Sequence, residues 1–173
     1  MAIVPDEKDW TWVLGRACPD CGFDPAGVRP SALADRIAAS ADGWGPRLDA
    51  PDALARPDDA TWSPLEYGCH VRDVHHIMRE RLELILAQDD PVFDNWDQDA
   101  AAVERAYSSQ DPAVVAVEIA SAARLLEGAY RRVPDGSWQR EGRRTGGSRF
   151  TAQTLGVYAL HDLEHHRMDV GLS

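Results

Sequence analysis

An all-α fold, a four-helix bundle with an irregular N-terminal extension, is predicted by three features of this 173-residue sequence. Four long stretches repeat apolar residues at helical spacing, and two of them open on strong N-cap signals. No stretch shows the sustained alternation of a half-buried strand. One long polar connection, before the last helix, matches the crossover that such bundles tolerate.

Residues 1–29 hold Trp10, Trp12, the run Cys18-Pro-Asp-Cys21-Gly22, and then Pro25 and Gly27. Proline and glycine at this density favour turns, so this segment is expected to fold onto a domain spanning residues 30–173. The first helix is expected near Ser31, an N-cap residue after Pro30, with Leu33, Ile37, Trp44 and Leu48 on one face. Gly43, Gly45 and Pro46 should fray or end it. A proline-rich connector precedes the second helix, whose start Ser63-Pro64-Leu65-Glu66 combines an N-cap, a first-turn proline and a capping-box glutamate. That helix should reach about Gln88. Pro91 and the acidic residues after it predict a loop, followed by a short helix around Asp99–Tyr107. The third long helix starts after Asp111-Pro112, and Val115, Ile119, Ala122, Leu126, Tyr130 and Val133 form its apolar stripe. Residues 134–150 are a polar, glycine-rich connection, and Thr151 caps a last helix running to about Gly171.

Eighteen Lys+Arg against 29 Asp+Glu give a net charge of -11, which argues against nucleic acid or an anionic membrane as partner. No run of 18 apolar residues is present, and the first ten residues lack the basic and apolar regions of a signal peptide. A cytoplasmic location is expected. Three cysteines do not make a disulfide framework.

The histidines carry the chemistry. His161 and His165 stand four residues apart, about 40° around a helix and one turn along it, so both imidazoles can face one cation. In the second helix His70 shares its face with Val74, Ile77, Leu84 and Ile85. Helical angles therefore turn His70, His161 and His165 inward and send His75, His76 and His166 toward solvent. A lone core histidine is usually a satisfied hydrogen-bonder. Two on one apolar face, with a third on a neighbouring helix, are costly to bury without a shared partner. Three neutral imidazoles suit zinc, nickel, copper or iron and leave coordination positions open, as in a catalytic site.

Other residues have a functional and a structural reading side by side. Glu164 lies near His161 in angle, as a ligand-orienting group or base, or as a salt-bridging glutamate. Asp162 is a candidate to accept from a histidine N–H. Arg81, on the inward face, needs an anionic partner, either a structural carboxylate or that of a substrate. Tyr158 packs in the core with its hydroxyl toward the metal. Glu66 is explained by the capping box. His161-Asp-Leu-Glu164-His165 also matches the inverted zinc-peptidase motif H-x-x-E-H. Those peptidases take a third ligand from well downstream, and only eight residues follow His165. C-P-x-C-G has the shape of a zinc knuckle, but no second C-x-x-C completes it. The pair is read as a local turn, as a metal site completed by outward histidines or a second subunit, or as a redox pair.

Trp62-Ser-Pro-Leu-Glu66 leading to His70, followed by the run from Leu155 to Val170 with its H-x-x-x-H, resembles the DinB/YfiT-like superfamily of metalloenzymes. The resemblance covers about residues 30–172. It implies a four-helix bundle with His70, His161 and His165 as metal ligands, zinc or nickel as the metal, and a homodimer. It further implies a small-molecule substrate and transfer or isomerisation through a low-molecular-weight thiol such as mycothiol, bacillithiol or glutathione. Arg81 and Tyr158 would then contact thiol or substrate, and Glu164 would be catalytic. A metal-dependent hydrolase and a metal-binding stress-response protein without turnover are the alternatives.

Overall fold

The computed structural model describes residues 9–172. Residues 1–8 of the predicted extension lie outside that range. The α-helices are α1 (Pro30–Ala39), α2 (Trp44–Leu48), α3 (Pro64–Ala87), α4 (Gln98–Glu104), α5 (Pro112–Arg131) and α6 (Ala152–Asp169). Short strands β1 (Val92–Phe93), β2 (Glu141–Arg144) and β3 (Arg149–Thr151) interrupt them. The bundle is built around α3, which packs against α5, α6 and α2, while α1 packs against α5 and α6.

The strongest local signals sit where predicted. Ser63 accepts from the Glu66 amide at 3.3 Å, and the Glu66 carboxylate accepts from the Ser63 amide at 2.9 Å, closing the capping box. Arg56 pairs with that carboxylate, its Nε donating at 2.8 Å, so the first turn of α3 is held from two sides. Thr151 caps α6 through a reciprocal bond with Thr154, and the Asp111 carboxylate caps α5. The predicted stripe of α5 is buried throughout.

The first helix departs from expectation at its start. It begins at Pro30, and the N-cap position belongs to Arg29, which makes no side-chain capping bond. It then breaks at Gly43, whose φ of +83° suits glycine, and restarts as α2. α6 comes close to its neighbours at Gly156, where an added Cβ would lie 2.9 Å from Leu33 and Tyr130 side chains. That close approach sets the depth of α6 in the bundle.

The polar connection contains strands that its sequence does not announce. β2 and β3 form an antiparallel hairpin with Gly142 opposite Phe150, and β1 adds in parallel on β2. Strands of two to four residues are too short for a period-two pattern to show. The sheet closes the C-terminal end of α3, where Arg140 donates to the Ile85 and Gln88 carbonyls at 2.9 and 2.6 Å.

Two histidines expected toward solvent do not go there. His75 is fully buried because α3 runs through the middle of the bundle and has almost no solvent face over its first three turns. Its Nδ1–H donates to the Val71 carbonyl at 2.7 Å, and Nε2 lies 3.2 Å from the Ser40 hydroxyl. Burial lowers its pKa to about 4, so the folded state holds it neutral while the unfolded chain takes up a proton below about 6.5. Stability is therefore expected to fall as pH drops from about 6.5 to 4, by about 1.4 kcal/mol per pH unit from this residue. Urea titrations at pH 7 and 5 measure the loss, and His75→Gln should flatten the dependence relative to wild type. An unchanged slope in that variant would remove His75 as the cause. The other histidine, His166, belongs to the site described next.

Candidate metal centres

The three imidazoles expected at one cation are divided between two clusters on different faces of α6. His70, Asp162 and His166 form one group whose ligand atoms lie within 4.8 Å of one another; Cys18, Cys21, His161 and His165 form the other. The cause is helical geometry. Asp162 and His166 are also an i,i+4 pair, offset by one residue from His161 and His165 and hence by about 100° around the axis. The second pair faces α3, and the first faces the N-terminal segment.

In the first cluster His70, one turn into α3 beyond the capping box, has no solvent exposure. Trp96 stacks on its ring at 5.2 Å between centroids, and Trp62 and His166 approach at 5.4 and 4.7 Å. Its Nε2 lies 3.1 Å from Asp162 Oδ1, and His166 Nε2 lies 3.5 Å from the same oxygen. His166 Nδ1–H donates to Asp169 at 2.8 Å, which turns Nε2 toward the cluster. Burial lowers the pKa of His70 and keeps it neutral. Burial alone would raise Asp162, but the surrounding His70 and His166 outweigh it and hold the carboxyl ionised.

These residues suit a divalent cation. Two imidazoles and one carboxylate are a common catalytic donor set, and a ligand atom about 2.1 Å from a tetrahedral metal sits about 3.4 Å from its neighbours. The separations of 3.1 and 3.5 Å match that spacing. The bond from His166 to Asp169 is the outer carboxylate support that metal-binding histidines usually have. Buried His70 Nδ1 has no partner among the described residues.

The cluster opens on a cleft of about 390 Å³ whose walls include Trp10, Trp62, Tyr67 and Tyr158. Asp20, Asp99 and Asp169 also line it, and no arginine or lysine does among the described residues. Tyr158 is thus where a substrate contact was expected, with burial raising its pKa and Phe150 against its ring at 5.3 Å.

Glu164 and Arg81 are elsewhere. Glu164 is held by Arg36 of α1 through two bonds of 2.9 and 2.7 Å, the salt-bridging reading of that residue. Arg81 is buried, but it meets neither of the carboxylates anticipated for it. It donates to the Asp94 carbonyl at 2.8 Å and stacks its guanidinium over Phe93 at 5.0 Å. Burial drops its pKa to about 10. Neither residue lines the cleft.

In the second cluster the N-terminal segment reaches across α6. Cys18 is buried and Cys21 partly so, and neither is in a disulfide. Cys18 Sγ lies 3.8 Å from His165 Nδ1. His161 is buried, its Nε2 without a hydrogen-bond partner among the described residues. Among the described residues the cysteine pair is therefore met by the inward histidines of its own chain and not by the outward ones. Asp162, expected to accept from a histidine N–H, lies against His70; His166 and Asp169 carry no such expectation, because the sequence reading rests on a single i,i+4 pair. The run His161-Asp162-x-x-His165-His166 contains two.

Comparison with known proteins bears on the fold and the family. The model of the DinB superfamily matches residues 33–169. No curated protein matches the sequence. Among solved structures, YfiT from Bacillus subtilis superposes with a TM-score of 0.72 at 16% identity, covering 91% of this chain and 93% of that one. YfiT is described as a probable metal-dependent hydrolase with an unusual four-helix bundle topology.

Proposed function

This chain belongs to the DinB superfamily, and we infer that its cleft over His70, Asp162 and His166 is the catalytic centre of a metal-dependent hydrolase. The observation that carries the reading is the convergence of two imidazole nitrogens on one carboxylate oxygen, at 3.1 and 3.5 Å, with Asp162 and His166 on the cleft wall and His70 buried behind them. The probable activity of YfiT supports the same class.

A divalent cation held there would supply Lewis-acid polarisation of a substrate oxygen and acidify water at its open positions. Everything else falls to the chain. Asp162 contributes the single negative charge of the ligand set, leaving a net positive centre where negative charge develops during hydrolysis. Asp169 fixes the His166 tautomer. Trp96 and Trp62 clamp the His70 ring and exclude water from its far side. The aspartates on the cleft wall favour an uncharged or cationic substrate. Trp10, Trp62, Tyr67 and Tyr158 offer apolar faces for its hydrocarbon part.

Transfer to a low-molecular-weight thiol is the second reading. It would use the same open position, where a thiol is held as its more nucleophilic thiolate. The acidic cleft suits a thiol without net negative charge.

The test is turnover of a panel of neutral and cationic chromogenic esters and amides by metal-reconstituted protein, with and without added thiols. Metal-dependent hydrolysis without thiol, lost in His166→Ala, is the expected result. Turnover only with thiol would replace hydrolysis by transfer. Tight metal binding at the cleft with no turnover in any assay would leave a metal-binding protein and sink the enzyme reading.

A further inference from the structure

We propose that Cys18, Cys21, His161 and His165 form a closed structural zinc site that clasps the N-terminal segment onto α6. Its two histidines also line the cleft, so the site borders the candidate catalytic centre while using none of that centre's ligands.

The ligand atoms of these four residues all lie within 4.8 Å of one another. Two cysteines and two histidines, spaced C-x-x-C and H-x-x-x-H, are a tetrahedral zinc set. With Zn–S about 2.3 Å and Zn–N about 2.1 Å, sulfur and nitrogen ligands should sit about 3.6 Å apart. Cys18 Sγ and His165 Nδ1 are 3.8 Å apart. Buried His161 Nε2 has no other partner among the described residues, and leaving a ring nitrogen so is costly.

The cysteine turn has the form of a knuckle. The Gly22 amide donates to the Cys18 carbonyl at 2.9 Å, and the Cys18 amide to the Phe23 carbonyl at 2.8 Å. Gly22 has φ +74°, which a side chain at that position would strain. Aromatic rings enclose the site: Phe23 lies 5.4 Å from His161, and Trp10 lies 5.8 and 5.7 Å from His161 and His165.

Charge separates the two centres. Zinc binding here would release one proton from each thiol, so two thiolates and two neutral imidazoles cancel the charge of Zn²⁺. A neutral, four-coordinate site with protein ligands at every position has nothing to offer a substrate. The cleft cluster has one charge and three ligands. The clasp also shapes the cleft, because Trp10, Asp20 between the cysteines, and the ligand histidines His161 and His165 line its wall.

Cobalt substitution tests the site directly. Cobalt-loaded wild-type protein should show thiolate-to-cobalt charge transfer in the near ultraviolet and the intense visible bands of tetrahedral coordination. Both should persist in His166→Ala, which disrupts only the cleft set, and vanish in Cys21→Ser. Alkylation of zinc-loaded wild type, followed by peptide mapping, covers the case of a misfolded variant. Cys18 and Cys21 should resist the reagent until a chelator is added. A cobalt spectrum without charge transfer, or cysteines alkylated equally with and without zinc, overturns the proposal. A Cys18–Cys21 disulfide recovered from protein purified anaerobically with zinc overturns it as well.

Discussion

Cys18→Ser is expected to lower the thermal midpoint of zinc-loaded protein by about 5–10 °C. A ligand that binds only the folded state at 100 times its dissociation constant stabilises by about 2.7 kcal/mol. For a domain of this size each kcal/mol moves the midpoint by about 2–4 °C. Serine is close in size to cysteine, so loss of the thiolate dominates over repacking. Chelator-treated wild type should fall to the same midpoint, and Cys18→Ser should respond little to chelator. His166→Ala, whose cleft set is broken, should keep the full chelator response, which assigns the effect to the clasp. Equal midpoints for zinc-loaded wild type and Cys18→Ser would show that the segment is held by packing alone, through Trp10, Trp12 and Phe23 against the α6 histidines.

Asp162→Asn is expected to lower metal affinity at the cleft by about 100-fold or more and to reduce turnover in parallel. Asparagine keeps the shape and still accepts from His70 Nε2–H, so the fold should survive. What disappears is the only anionic donor of that ligand set. Removing outer support alone, in Asp169→Asn, should cost about 10–100-fold. Elemental analysis separates the sites, with zinc at the cysteine clasp unaffected by Asp162→Asn. Full metal occupancy and unchanged turnover in Asp162→Asn would show that the chemistry is done elsewhere in the cleft.

The legible parts of the molecule were those governed by local physics. The capping box at Ser63 and the cap at Thr151 satisfy free amides within three residues, and both formed. The stripe of α5 and the inward turn of His70 follow from a period of 3.6 residues and the need to bury apolar surface. The small sheet was not legible as such, since its strands are too short to carry a pattern and β1 pairs with β2 across about 50 positions of sequence. His75 was misplaced because an angular argument assumes one buried face, and the centre of α3 is buried on nearly all of them.

The metal chemistry divides along the same line. By itself the sequence determined that α6 presents histidines as i,i+4 pairs, that His70 points into the bundle, and that Cys18 and Cys21 share a local turn. Helical angle and turn geometry are local, and they required nothing from the rest of the chain. Which donors meet was decided only by tertiary packing. α6 lies between α3 and the N-terminal segment, so faces about 100° apart receive different partners. Asp162 and His166 meet His70 across one interface, while His161 and His165 meet Cys18 and Cys21 across the other. A one-residue offset on a helix is a small change in sequence and a different neighbour in space.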